Sequence, residues 1–281
     1  MTFGESLKTY RSWLFLTLLF MAGLYRGVVP DMAQQWYEDA NYSHGFVVPL
    51  IAAYFVYERR RELLEAAVEP WWPGFALIAC GLLQLVAGWL ATEYFTMRSS
   101  LVVTLAGMTL FFFGKRLFRL MLLPLGYLFF MIPLPYLVYD WIAFPLKLFV
   151  TKASIAVLQL SGVVVMREGN VILLPATTLE VADACSGIRS LISLLALAVA
   201  YSFFLRLSTL KRCLLILSAI PIAICANALR VIGTGFLAQY WGARAAEGFF
   251  HEFAGMAVFV VAITLLVSLG ALLGRSDRRN P

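Results

Sequence analysis

The chain has 281 residues, of which 62% are hydrophobic and only 14% charged, with a mean hydropathy of +0.84 and a formal net charge of +6. That balance excludes a soluble globular domain and describes an all-α polytopic membrane protein, in which Lys and Arg report orientation rather than affinity for nucleic acid. The four cysteines, Cys80, Cys185, Cys213 and Cys225, show no CxxC or other metal spacing, so neither a metal site nor a disulfide framework is expected.

In chain order, Trp13 to Val29 is an apolar run long enough to span, and no A-x-A-like cleavage site follows it. Pro30 to Ser43 reads as a polar loop. His44 to Tyr57 is a short second span that stops at Glu58-Arg59-Arg60-Arg61-Glu62. Trp71-Trp72-Pro73-Gly74 opens the third span, to about Leu90, with paired tryptophans suited to the interfacial belt. The fourth runs from about Ser99 to Phe113. The basic segment Gly114 to Arg119 separates it from the fifth, about Leu120 to Ile132, which Pro133-Leu134-Pro135 terminates. Arg98, Lys147 and Lys152 read as surface residues.

Tyr136 to Gly162 is apolar but interrupted by Asp140, Pro145, Lys147 and Lys152, and reads as helices lying on or re-entering the membrane rather than as a clean span. Val163 to Met166 and Val171 to Leu174, joined through Gly169-Asn170, read as a β-hairpin, with Thr178 to Ala182 as a third strand. The sixth span runs from about Cys185 to Phe204 and the seventh from about Leu214 to Ile232. Gly233 to Phe250 reads as a loop. The eighth span runs from about His251 to Leu273, followed by a basic tail.

Eight spans would put both termini on one side, together with Lys8, Arg11, Arg59–Arg61, Lys115, Arg116, Arg119, Arg206, Lys211, Arg212, Arg275, Arg278 and Arg279. The positive-inside rule makes that side cytoplasmic. His44, Cys185, Arg230 and His251 then all fall at outer helix ends, and polar residues at membrane depth are functional candidates.

The segment Leu179 to Leu191 carries the densest chemistry. Cys185 is expected at a helix start, after Glu180 and Asp183 and one turn before Arg189. A helix N-terminus and a nearby guanidinium both favour thiolate. Each residue also has a plain reading. Cys185 could be a small buried residue, His44 and His251 helix-start residues, and Arg230 a residue that snorkels to headgroups. Arg189 could pair with Asp183 or Glu180. Jointly, Cys, His and Arg at one depth supply a nucleophile, a proton carrier and an oxyanion partner.

Ala184-Cys185-Ser186-Gly187-Ile188-Arg189-Ser190-Leu191, Asn227-Ala228-Leu229-Arg230 and His251-Glu252-Phe253-Ala254-Gly255 resemble three signature blocks of the exosortase/archaeosortase family, and Tyr42-Ser43-His44-Gly45-Phe46-Val47-Val48-Pro49 resembles its N-terminal block. The resemblance implies a single membrane domain over residues 1–281, with an extracytoplasmic patch over about 133–184 and catalytic helices over about 185–273. It implies a bacterial inner-membrane transpeptidase acting on PEP-CTERM-type, tail-anchored proteins, without a cofactor, with its active site facing the periplasm. Cys185, Arg230 and His251 match that family's proposed catalytic triad; Arg189, His44, Asp183, Glu180, Asn227 and Glu252 are secondary candidates. The chain reads as the exosortase core alone, surrounded by membrane lipids and open to a separate accessory protein. The competing reading is a transporter or a lipid- or polysaccharide-export component whose arginines bind an anionic substrate. No P-loop, dinucleotide fingerprint or metal-ligand set supports other chemistry.

Overall fold

The computed structural model describes residues 1–175, 178–180, 187–242 and 249–278, with the backbone alone at 179, 180, 249–252 and 276–278. The chain divides into two compact units, Met1–Pro135 and Tyr136–Pro281.

In the first unit, α1 (Phe3–Thr9) starts at a capping box in which Glu5 N–H donates to Thr2 Oγ1 at 3.3 Å and Thr2 N–H donates to Glu5 Oε2 at 2.8 Å. Helix α2 (Arg11–Leu24) bends by 61° into α3 (Val28–Glu38). The expected polar loop after Pro30 is therefore mostly helix. Pro30 sits in the first turn, where its missing N–H costs nothing, and Met32 and Trp36, one turn apart, give α3 a buried face. A 3-10 segment (Ala40–Phe46) leads into α4 (Val47–Glu58), which has 12 residues and rises only about 18 Å. It is too short to cross a hydrocarbon core of about 30 Å alone. A short α5 (Arg60–Glu65) follows.

Helices α6 (Gly74–Leu90) and α7 (Tyr94–Tyr127) form an antiparallel pair, the tightest packing in this unit. Gly74, Gly81 and Gly88 recur every seven residues along α6, and each lies against α7, at Phe111, Thr104 and Met97 in turn. Gly107 of α7 returns the contact at Ile78, where an added Cβ would stand 2.6 Å from the backbone nitrogen. Small residues at a helical interface let the backbones approach, which is how membrane helices gain dispersion energy without a hydrophobic driving force. The expected fourth and fifth spans are the two parts of α7, broken at Gly114 (φ +85°). The backbone carbonyls of Phe113 and Phe111 accept from Glu69 N–H (3.4 Å) and Trp71 N–H (3.2 Å), so the break is hydrogen-bonded by the incoming chain. A second 3-10 turn (Leu128–Met131) ends the rod before Pro133.

The two basic clusters of this unit, Arg59–Arg61 and Lys115–Arg119, gather at one end. Arg59 donates to the Leu120 carbonyl at 3.3 Å, Lys115 stands 4.3 Å from the Trp71 ring centre, and Phe3 packs edge-on against Phe113 at 4.9 Å. The N-terminus and the first two basic clusters therefore share an end, as the charge pattern requires.

In the second unit, α8 (Tyr136–Leu160) is one continuous helix of 25 residues running through Pro145. The expected interruptions at Asp140, Pro145 and Lys147 do not break the helix, and its length and apolarity suffice for a span. Gly162 (φ +83°) closes it. The strands β1 (Met166–Glu168), β2 (Val171–Leu173) and β3 (Thr178–Glu180) pair antiparallel in that order, with Gly169-Asn170 as the hairpin turn as expected, but the first strand starts at Met166, not at Val163. Ile172, with Val163, Val165 and Leu174, packs with Leu158 of α8 and with Val231 and Ala238 of α10 (Thr209–Trp241). Helix α10 continues nine residues past Ile232, so the expected loop from Gly233 is helical to Trp241. Helices α9 (Ile188–Phe204), α10 and α11 (Phe249–Arg278) share a core of Leu194, Ala198, Leu215, Ala219, Ala262 and Leu266.

Among the described residues, four helical stretches are long and apolar enough to cross a membrane: Tyr94–Met131, Tyr136–Leu160, Thr209–Trp241 and Phe253–Arg275. A fifth is added if the bent pair Arg11–Leu24 and Val28–Glu38 counts as one span. The protein is thus a mostly helical, multi-pass membrane protein with a small sheet. The eight separate crossings read from the sequence are not matched one for one by this measure, because α4, with 12 residues, and α6 and α9, with 17 each, are shorter than a typical lone span and the two parts of α7 count as one stretch.

Candidate functional site

The site builds up where three helix segments meet in the second unit. Gly187 is the N-cap of α9 and holds φ +76°, a left-handed conformation. Helix α9 thus begins at Ile188, three residues later than the start expected at Cys185. Ile188 is buried with Tyr139 and Ala143 of α8, which fixes this helix end. Cys185 and Asp183 lie outside the described residues. Glu180 closes β3, its backbone paired with Val171.

Asn227, 5% exposed, stands on the face of α10 that meets this end. A Cβ built on Gly187 would lie 2.9 Å from Cγ and Nδ2 of Asn227, so the absence of a side chain at 187 makes room for the amide. Arg230, three residues on and half-buried, shares that face. Its guanidinium lies across Gly255 of α11: a Cβ there would stand 2.9 Å from Cζ and 3.0 Å from Nη2. Position 251 is one turn before Gly255 on the same face of α11, with Glu252 beside it, in the helix's first turn. Arg189, the second residue of α9, is half-buried. The described parts of the three sequence blocks are therefore adjacent. The residues that join them are Gly187 and Gly255, which the sequence blocks contain but to which sequence reasoning gave no role.

The opposite end of this unit is the basic one. Tyr201 OH donates to the Val267 carbonyl at 3.2 Å, and Gly274 meets Leu207. Arg206, Lys211, Arg212 and Arg275 therefore collect away from Gly187, Arg230 and Gly255. A half-buried guanidinium on a helix face with a buried amide can bind and stabilise an anionic group. Among the described residues, no group of three His, Cys, Asp or Glu side chains is placed to hold a metal ion.

His44 belongs to the first unit and has a structural environment of its own. Its Nε2 lies 3.1 Å from the Phe130 carbonyl, and Trp36 Nε1–H donates to the next carbonyl, Met131, at 2.8 Å. Gly45 lies directly under the Trp36 indole. His44 of the Tyr42 to Pro49 block and Trp36 of α3 thus satisfy neighbouring backbone carbonyls of the 3-10 turn that follows α7. Burial holds the His44 pKa below its ordinary value of 6.5, against the opposing effect of the Phe130 carbonyl, so the ring is neutral.

Arg98 corrects a second expectation. Read as a surface residue, it is 6% exposed and donates to Gln35 Oε1 at 2.5 Å. The signal available in the sequence was the pair Asp31 and Gln35, one turn apart on an amphipathic helix.

The chain matches the transmembrane exosortase family over residues 36–268, a stretch that contains all three blocks. The protein belongs to that family. No curated protein and no solved structure matches the chain.

Proposed function

We propose that this exosortase is a membrane cysteine transpeptidase that removes the C-terminal sorting signal of PEP-CTERM-type, tail-anchored proteins. The observation that carries the reading is the placement of Arg230 against Gly255, one turn beyond His251, with Asn227 on the same α10 face against Gly187, two residues beyond Cys185.

In this reading the Cys185 thiolate attacks the scissile carbonyl carbon and a tetrahedral oxyanion forms. Arg230 donates to that oxyanion. The oxyanion collapses to a thioester as the C–N bond breaks, and His251, protonated as the partner of the thiolate, gives its proton to the leaving amine. An amine or water then attacks the thioester carbonyl carbon, His251 takes the proton released, and the second oxyanion collapses as the C–S bond breaks and returns the Cys185 thiolate. Asn227 positions the segment after Cys185; Glu180, Asp183 and Glu252 are candidates to orient the cationic groups. Within the second unit, Arg206, Lys211, Arg212 and Arg275 lie at the end away from Arg230. With the positive-inside rule, that supports an active site on the periplasmic face of the inner membrane, with the termini and basic loops cytoplasmic.

The test is co-expression with a tagged PEP-CTERM-type substrate, scored by gel shift in wild type, Cys185→Ala and Cys185→Ser. Loss of processing in both variants at unchanged protein level supports the thiol mechanism. Processing by Cys185→Ser at the wild-type rate rejects it in favour of a binding or export role.

A further inference from the structure

The first unit contains a cavity of about 310 Å³ lined by Asp31, Trp89, Thr92, Tyr94, Met97 and Arg98, among others. It lies at the turn between α6 and α7, the end of the pair opposite Lys115 and Trp71. Thr92 holds the turn with φ 53°, the one positive φ outside glycine among the described residues. Trp89 and Tyr94, 70% and 57% exposed, rim the opening. Amphipathic aromatic rings at a helix end mark the headgroup level of a bilayer.

The wall of this cavity carries a charge pattern that the protein does not close by itself. Arg98 is more than nine-tenths buried, and its hydrogen bond goes to a neutral amide, Gln35 Oε1. Its other contact is the Tyr94 ring, with Cζ 5.3 Å from the ring centre. The carboxylates acting on it are Asp31 and Glu93. Glu93 is committed to capping α7, accepting from Thr96 N–H at 2.6 Å and Phe95 N–H at 3.2 Å. Asp31 is exposed and, among the described residues, forms no ion pair with Arg98. A buried guanidinium without an ion-pair partner is costly, and a ligand anion relieves that cost. A bare anion would also meet Asp31, so the complementary ligand carries a cation beside its anion.

We propose that this cavity binds the headgroup of a zwitterionic amino-phospholipid, with the phosphate on the Arg98 guanidinium, the ammonium on the Asp31 carboxylate and the glycerol end between Trp89 and Tyr94. Phosphate suits the forked guanidinium, and the aromatic rim at headgroup depth favours a lipid over a soluble ligand. The site is independent of the cysteine chemistry.

The test uses the full-length protein, delipidated in detergent and titrated with phosphatidylethanolamine, phosphatidylglycerol or soluble phosphoethanolamine, with bound lipid counted by native mass spectrometry. Wild type should prefer phosphatidylethanolamine over phosphatidylglycerol by about tenfold or more. Asp31→Asn should erase that preference while still binding phosphatidylglycerol, and Arg98→Gln should lose both lipids. If Arg98→Gln fails to fold, Asp31→Asn carries the test alone, because Asp31 is exposed and replacing it removes no internal ion pair. Equal binding of the two lipids by wild type, or an unchanged preference in Asp31→Asn, overturns the proposal. Soluble phosphoethanolamine binding as tightly as the lipid would assign the cavity to a free zwitterion. Displacement of the lipid by a short acidic peptide but not by phosphoethanolamine would assign it to a peptide carboxylate. Either result overturns the lipid reading.

Discussion

The guanidinium of Arg230 rests on Gly255, and nothing larger than hydrogen fits between the two helices at that point: a Cβ would come within 3.2 Å of Cζ, Nη2 and Nε together. The atoms it would meet are the far end of a flexible side chain, not backbone. Gly255→Ala is therefore expected to leave the fold intact and to move the guanidinium. If Arg230 stabilises the oxyanion, processing should fall by about a hundredfold or more while the thermal midpoint changes little. Gly233→Ala is the matched control. It lies on α10 with nothing within 4 Å, and should keep activity while gaining up to about 1 kcal/mol from helix propensity. Wild-type processing by Gly255→Ala would remove Arg230 from the mechanism.

Gly187 presents the opposite case. It combines a φ of +76° with the Asn227 side chain at 2.9 Å, so alanine meets both a backbone and a packing obstacle. Gly187→Ala should cost about 1–2 kcal/mol of stability from the backbone conformation alone. Asn227→Ala relieves the packing obstacle but not the backbone one. The double variant should therefore recover part of the lost stability and none of the activity. Thermal unfolding and processing measured on the three variants separate the two effects.

The blocks of the second unit were legible because Cys and His are few in this chain and Arg230 interrupts an apolar run, so that each marks its own block. The order of the blocks and the hairpin before them were legible for the same reason: polar residues and a Gly-Asn turn interrupt the hydropathy. What joins the blocks was not legible. Gly187 and Gly255 act by lacking a side chain, and the sequence shows no periodicity at either. The span count was only partly legible for a related cause. Helix α4 is as apolar as a span but has only 12 residues, with Val48, Ala52 and Phe55 buried and Leu50 and Tyr57 exposed, and α8 reads as interrupted because Asp140 and Lys147 occur in it although it runs unbroken. Arg98 was misplaced because charge was equated with exposure.

The glycine heptad of α6 was present in the sequence and its meaning was missed. Gly81 faces Thr104 across the α6–α7 contact, and that same threonine accepts or donates a hydrogen bond with Tyr25 OH at 3.1 Å. Gly81→Val would press into the α7 backbone and into this buried polar pair at once. The expected cost is about 1–3 kcal/mol from overpacking, more if the Tyr25 hydroxyl loses its partners. A lowered thermal midpoint and reduced membrane accumulation should follow, with the cysteine chemistry of the surviving protein unchanged. Gly23→Val, at a glycine with nothing within 4 Å, should show neither loss.

His44 yields a pH dependence whose sign is fixed by its surroundings. Burial lowers its pKa below 6.5 in the folded protein, whereas the unfolded chain takes up the proton near 6.5. Between the two values the unfolded state holds more protons, so stability rises with pH there. The contribution of the neutral ring is fully present above 6.5 and is lost as pH falls through 6.5 toward the lowered value. Glu5 and Glu93 also have lowered pKa values, but from 4.5, so their losses begin further toward acid. A scan from about pH 7.5 to about pH 5.5 excludes these carboxylates but includes the other histidine, His251, so the difference between wild type and His44→Gln isolates His44. Wild type should lose thermal stability across that window. His44→Gln, whose amide can donate to the Phe130 carbonyl without titrating, should lose less across it and keep processing. If His44→Gln abolishes processing while its thermal midpoint matches wild type at the upper pH, His44 is part of the reaction, not a cap on the α7 rod.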